Sequence, residues 1–359
     1  MARSEEIDRK HERLRRLLAR HGARALLLTQ TRNLAWFTAG TDAAIPVDSE
    51  TGAWSALVTA GRREIITNNI ELPRLRAEED LERLGFRYRS HAWHEAAPAL
   101  PSDTLLDTQP EVAAALLSLR LVLDPAEQER SRRLGAQTAA ALDEAIRATR
   151  PGDSELEIAA RLDAACRRRG GLAVVNLVAT DERIAQFRHP LPTPRRMQRL
   201  VMLVVCNRRR GLVVSATRLA HAGPLPAALA AKAQQVAQID ATVMAATRPG
   251  RSHAAIFREL QAAYAASGEA DQWRYHHQGG PAGYNAREFI VTPADAATVR
   301  AGSLYAWNPS LVGCKSEDTM LVGEQGCEII SDAGPDWPMF SVAVGGQTLR
   351  RPGILELEA

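Results

Sequence analysis

The chain has 359 residues, 45% hydrophobic and 24% charged, which is ordinary for a folded globular protein and long enough for two domains. Its formal charge of +3 is carried almost wholly by arginine, with Lys10, Lys232 and Lys315 the only lysines; no basic tract is interleaved with rings, so no nucleic-acid partner is indicated. No apolar run reaches membrane-spanning length, and Cys166, Cys206, Cys314 and Cys327 lack CxxC spacing, which argues against a membrane partner, a disulfide framework and a cysteine zinc site.

In chain order, MARSEEIDRKHERLRR has no signal-peptide core, so a reducing cytoplasm is the expected compartment. Ile7, Leu14, Leu17 and Leu18 mark one face of a helix over residues 5–21, and Gly22 ends it. ALLLTQ (Ala25–Gln30) reads as a buried strand, followed by RNLAWFTAG, the short strands SALVTA and REIITNN, and a Leu/Arg-rich helix after Glu71. This alternation indicates an α/β domain over residues 1–122. Asn68, Asn69, His91 and His94 read as turn and surface features. Leu123–Thr149 is a long amphipathic helix, with Asp124 as N-cap, Pro125 in the first turn and Arg150-Pro-Gly as the stop. A second helix is capped by Asp153 or Ser154 and ended by Gly170–Gly171. Strand-rich sequence follows to Leu219. Helices over 225–247 and 252–267, then strands to about residue 330, repeat this order. The Pro/Gly-rich tail after Gly334 is expected to wrap the surface.

The repetition is visible residue by residue. CNRRRGLVVSAT (Cys206–Thr217) lies over NPSLVGCKSEDT (Asn308–Thr319) without a gap, matching Cys206 with Asn308, Gly211 with Gly313, Ser215 with Glu317 and Thr217 with Thr319. ATRPG occurs at Ala148–Gly152 and again at Ala246–Gly250. A helix–helix–hairpin unit is therefore duplicated, and two facing hairpins enclose a cleft whose polar residues decide the chemistry.

FRHPLPT around His189, SATR ending at Arg218, HHQGGPAGYNARE and NPSLVGCKSEDT, in this order and spacing, resemble the creatinase / aminopeptidase P / methionine aminopeptidase family. The resemblance implies an α/β (α+β) chain: a creatinase-like N-terminal domain over residues 1–122, then a duplicated pita-bread domain over 123–359. It also implies a homodimer in which residues 1–120 contribute to the interface. The peptidase members bind two metal ions with two Asp, one His and two Glu. Here those positions fall on Cys206 (or Val204), Ser215, Pro281, Asn308 and Glu317. No Asp or Glu occurs anywhere from Ile184 to Ile239, so the first hairpin supplies no carboxylate. Divalent ions need several converging oxygen or imidazole ligands, so no metal and no other cofactor is expected.

By the same resemblance His189, His277 and Glu317 are the catalytic candidates: imidazole titrates near neutrality, and Glu317 either bonds to Asn308 or Lys315, pairs with a cationic substrate or supports a histidine. Arg287-Glu288 resembles the G-R-E of creatinase, the member that cleaves a C–N bond without metal. Arg287, Glu288, Asn308, Arg218 and His276 are the candidate substrate-binding residues, and Arg218 has an equal reading as an ion-pair former. Strand alternation predicts that only one of His276 and His277 faces the cleft, and His277 is favoured. Gly279, Gly280 and Gly283 either permit tight turns or let backbone approach an anion. Cys206 reads as a small buried hydrophobe, and Cys314 similarly, with Lys315 beside it able to lower a thiol pKa. The expected activity is metal-independent hydrolysis or lysis of a small polar guanidino or amide substrate. The alternatives are a non-catalytic protein holding a peptide or small ligand, and a Xaa-Pro-type metallopeptidase with altered ligands.

Overall fold

The computed structural model describes residues 3–324 and 326–358 and divides the chain into two compact units: one up to Glu127 together with Arg210–Leu212, the other Gln128–Arg209 and Val213 onward. In the first unit α1 (Arg3–His21) buries Ile7, Leu14, Leu17 and Leu18, and Gly22, at φ 62°, ends it. Five strands, β1 (Ala25–Gln30), β2 (Thr51–Thr59), β3 (Arg63–Asn68), β4 (Arg87–His91) and β5 (Thr104–Leu106), form a mixed sheet in the order β4-β3-β2-β1-β5. α2 (Thr31–Phe37) follows β1 directly, and the Asp107 carboxylate ties the junction by accepting from the Thr29 and Gln30 amides and from Asn33 Nδ2. The helix expected after Glu71 is short: α3 (Leu72–Arg74) widens into a π-helical turn over Leu75–Glu79 and stops at Asp80, which is left-handed at φ 52°. α4 (Pro110–Arg120) closes this unit's set of elements. Lys10, wholly buried, is neutralised by Glu6 at 2.6 Å and Glu127 at 2.7 Å and also donates to the Trp36 carbonyl.

The second unit carries the duplication. α5 (Pro125–Arg147) and α6 (Glu155–Arg168) precede β6 (Leu172–Thr180), the short α7 (Arg183–Gln186), and the hairpin of β7 (Leu200–Arg209) and β8 (Leu212–Ala222). α8 (Ala227–Ala246) and α9 (His253–Ala266) then precede a 3₁₀ turn (Gln272–Tyr275), β9 (Gly279–Ala282), β10 (Leu304–Trp307), the two-residue strands β11 (Ser310–Leu311) and β12 (Cys314–Lys315), β13 (Asp318–Val322) and β14 (Cys327–Ile329). The two halves match in detail. Gly211 and Gly313, at φ 81° and 84°, turn the two hairpins, a backbone conformation that a side chain would strain. Ser154 caps α6 in a reciprocal capping box with Glu157, and Ser252 caps α9 through Ala255 N. Ser154 also bridges Arg196, as Ser252 bridges Thr298.

Alternation along β7 divides its side chains between two cores. Val201, Leu203 and Val205 pack with Leu142, Ile146, Ile158 and Leu162 of α5 and α6, whereas Met202 and Val204 face the cluster formed by α8 and α9. Each such buried aliphatic side chain contributes about 1.5–3 kcal/mol relative to exposure, so the strand is pinned in register from both faces. The tail does not simply wrap the surface. β15 (Met339–Val344) and β16 (Gln347–Pro352) form a hairpin, and β17 (Ile354–Leu357) adds a parallel strand to β8, completing the sheet β17-β8-β7-β6. Period-two burial of Leu349 and Arg351, with Trp337, Ile354 and Leu355 inside, explains the ordering. The second sheet is β14-β13-β10-β9, and a bridge between Thr217 and Glu317 joins the two hairpins. Among the described residues no helix is long and apolar enough to cross a membrane.

Candidate active site

The facing hairpins line a cavity of about 270 Å³ whose walls include Val204, Cys206 and Lys315 from strands, Glu317 from the bridge before β13, and His189, His277, Arg287 and Asn308 from loops. Two loops, one in each half, deliver His189 and Arg287. Glu155, the first residue of α6, accepts from the Thr180 and Thr193 amides at 2.9 Å each, from Thr193 Oγ1 at 2.7 Å and from Arg183 at 2.5 Å. It thereby clamps both ends of the segment that carries His189. Burial pushes its carboxyl up, but these hydrogen bonds outweigh that and hold its pKa below the ordinary value. In the other half His253, the first residue of α9, contacts Asp295 Oδ2 through Nδ1 at 2.8 Å and the Tyr305 hydroxyl through Nε2 at 2.7 Å, pinning the loop that carries Arg287.

Three imidazoles meet at the cavity. His276 and His189 lie Nε2 to Nε2 at 3.0 Å, so one donates and the other accepts. His277 packs 4.7 Å from His276 and 5.5 Å from His189, measured between ring centroids. Both rings join one cluster between the 3₁₀ turn and β9, yet only one of them faces the cleft, as expected. His277 lines the cavity, while His276 is buried behind it, 3.4 Å from Ser310 Oγ. Burial lowers all three pKa values, aided by Lys315 for His189, by Lys315 for His276 (to about 2) and by Arg287 for His277 (to about 4).

Glu317 does not wait for a cationic substrate. Its Oε1 accepts from Arg287 Nη2 at 2.7 Å, and its Oε2 accepts from Lys315 Nζ and from Thr217 Oγ1, both at 2.7 Å. Burial pushes this carboxyl up, but Lys315 and Arg287 together outweigh it and hold the pKa well below the carboxylate range. Two cations against one carboxylate leave the cavity wall net positive. Arg287 Nε, His277 Nδ1 and Asn308 Oδ1 are buried there without a hydrogen-bond partner.

Two candidates from the sequence lie elsewhere. Arg218 is buried and pairs with Asp318 Oδ1 at 2.9 Å while donating to the Ser331 carbonyl; the alternation that turns Thr217 toward Glu317 turns Arg218 away from the cavity. Glu288 accepts from the Tyr284 amide and Asn285 Nδ2, which shapes the loop after β9 and keeps it off the cavity wall. Gly279 serves strand approach: a Cβ there would lie 2.1 Å from the Ala306 carbonyl oxygen. Burial raises the Cys314 thiol to about 12 despite Lys315 and raises that of Cys206 as well, so neither is a poised nucleophile. Lys315 lines the cavity and pairs with Glu317, a partner the sequence offered for Glu317 without proposing Lys315 as a site residue. Its signal was the two-residue spacing to Glu317 on a hairpin edge, which puts both on one face.

The geometry agrees with the comparisons. The profile of the creatinase/prolidase N-terminal domain matches residues 10–120, and that of metallopeptidase family M24 matches residues 129–324, more than half of the chain. The chain belongs to metallopeptidase family M24. No curated protein matches it. Among solved structures it resembles a Xaa-Pro dipeptidase from Bacillus anthracis at 16% identity and TM-score 0.73, covering 92% of this chain and 99% of that one. It also resembles dipeptidase PepE from Mycobacterium ulcerans (16%, TM-score 0.73, 99% of each chain). The N-terminal domain of FACT complex subunit SPT16 from Cicer arietinum shares the fold at 10% identity and TM-score 0.65, covering 92% and 96%. At these identities the likeness is one of fold.

The residues at the M24 metal positions do not fit a dinuclear centre. Cys206 is a buried protonated thiol that accepts from Ser215 Oγ at 3.2 Å, Ser215 Oγ in turn accepts from Arg287 Nη1, and Pro281 has no ligand atom on its side chain. Glu317, the one carboxylate, is already neutralised by two side-chain cations. A pair of divalent ions would meet Arg287 and Lys315 instead of counter-charge.

Proposed function

We propose that this M24 protein is a hydrolase or lyase that cleaves a C–N bond in a small polar molecule by histidine acid/base catalysis, without the family's dinuclear metal centre. The observation that carries this reading is the pairing of His189 with His276, with His189 and His277 both on the cavity wall. His189 exchanges a proton with the substrate, and His276, bonded to it, fixes which Nε2 carries the proton. His277 is the second proton-transfer group. Arg287 and Lys315, in excess over Glu317, favour a substrate bearing a carboxylate, and Asn308 Oδ1 accepts from an amide N–H. An amide with a carboxylate therefore fits better than a free guanidinium, whose natural partner Glu317 is occupied. A cavity of about 270 Å³ suits a ligand of this size. A homodimer is proposed on the resemblance alone.

The test begins with a thermal-shift screen of acylated amino acids, carboxylate-bearing amides and guanidino acids on chelator-treated protein. His189→Ala and His277→Ala are each expected to lower turnover of the hit by on the order of 10²-fold while leaving the fold intact. A ligand that binds tightly, is never turned over and binds both variants equally well would replace this reading with a binding function.

A further inference from the structure

We propose that His189, His276 and His277 together bind a single transition-metal ion of the zinc type, at a place distinct from the five family positions. Each residue offers one ring nitrogen, and the three nitrogens lie within 4.8 Å of one another. The 3.0 Å between the Nε2 atoms of His189 and His276 is close to the separation of about 3.3 Å that two nitrogens adopt on one tetrahedral zinc ion. His189 sits exposed on a loop, outside helix and strand, and is the member of the three least held by packing. His277 Nδ1, buried and without a partner, supplies an independent sign that this cluster is built to receive something.

The surroundings hold the second member of the set in place. His276 has Ser310 Oγ beside Nδ1, and its carbonyl accepts from Gln278 Nε2 at 2.6 Å. Gln278 is fixed in turn by the Tyr264 hydroxyl. Such outer partners orient a ligating imidazole. An all-imidazole set selects zinc, nickel, copper or cobalt over magnesium or calcium. Arg287 and Lys315 exceed Glu317 by one charge, so the fourth ligand is expected to be anionic, a hydroxide or a carboxylate from the cavity. On the reading of function above, the ion would occupy the lone pairs that move protons. It would therefore inhibit, the reverse of its effect on a metallopeptidase.

Chelator-stripped protein titrated with Co²⁺ should develop visible d–d absorption that saturates at one ion per chain and is displaced by Zn²⁺. His276→Ala and His189→Gln should each weaken Co²⁺ binding more than about tenfold, whereas Cys206→Ser should leave it unchanged. Should His276→Ala fail to fold, the exposed His189→Gln still decides the matter. Absence of binding, a stoichiometry of two, or binding untouched by the histidine variants would overturn the proposal. The titration needs no substrate and the turnover assay needs no metal, so the two readings fail separately.

Discussion

At the residue scale, the second unit is organised around buried charge. Arg351 from the tail donates through Nε to Asp240 of α8 at 2.8 Å and through Nη2 to Asp318 of β13 at 2.6 Å, and Asp318 also receives Arg218. All four are nearly inaccessible to solvent. Buried pairs of this kind stabilise little compared with an apolar replacement, but removing one partner strands a charge. Arg351→Met should therefore cost about 3–5 kcal/mol in urea unfolding, with part of the loss recovered in the Arg351→Met/Asp240→Asn double variant. A loss below measurement error would show that the network is solvated. The same reasoning applies to Glu317, which its neighbours Arg287 and Lys315 make the centre of a buried ion cluster.

At the element scale, the two halves use different chemistry for one mechanical task. Glu155 at the start of α6 and His253 at the start of α9 each pin the loop that lies beside the helix terminus. Backbone contacts repeat as well, with the Glu155 amide on the Arg195 carbonyl and the His253 amide on that of Ala297. Because the folded pKa of Glu155 is depressed, its contribution is present above the unfolded value of about 4.3 and is lost as pH falls through the lower folded value. Glu155→Gln should cost about 2–3 kcal/mol at pH 7, and the variant and parent unfolding curves should converge in acid. Curves that stay parallel down to about pH 2 would assign the effect to shape rather than charge.

At the scale of the whole molecule, the two-domain M24 architecture carries one carboxylate, Glu317, among the residues that the resemblance places at the metal positions, and the proposed function follows from that. A metal-activated hydroxide is the peptidase nucleophile. Turnover of Xaa-Pro or Met-initiated peptides should therefore remain at background with added Mn²⁺ or Co²⁺, and metal-dependent release of an N-terminal residue would reject the functional reading. Light scattering at micromolar concentration is expected to give twice the chain mass of 39.1 kDa; a monomer would remove the dimer that the resemblance implies.

The duplicated hairpins, the Ser154 cap of α6 and the absence of carboxylates from Ile184 to Ile239 could be read from the order of residues, because turns, caps and ligand chemistry are local properties. So could the candidacy of His189, His277, Asn308 and Arg287, which the fold brings to one cavity. What no local pattern contained was the distant partner of a charge. Glu317 meets Arg287 thirty residues upstream, His189 meets His276, and Arg351 reaches Asp240 across more than a hundred residues. The tail looked like surface wrapping because short strands rich in Pro and Gly carry a weak period-two signal; only the open edge of β8 makes β17 a strand. Ionic partnership and sheet completion depend on distance in space. The sequence therefore specified which groups this protein possesses, and the tertiary structure decided which of them remain available to a ligand.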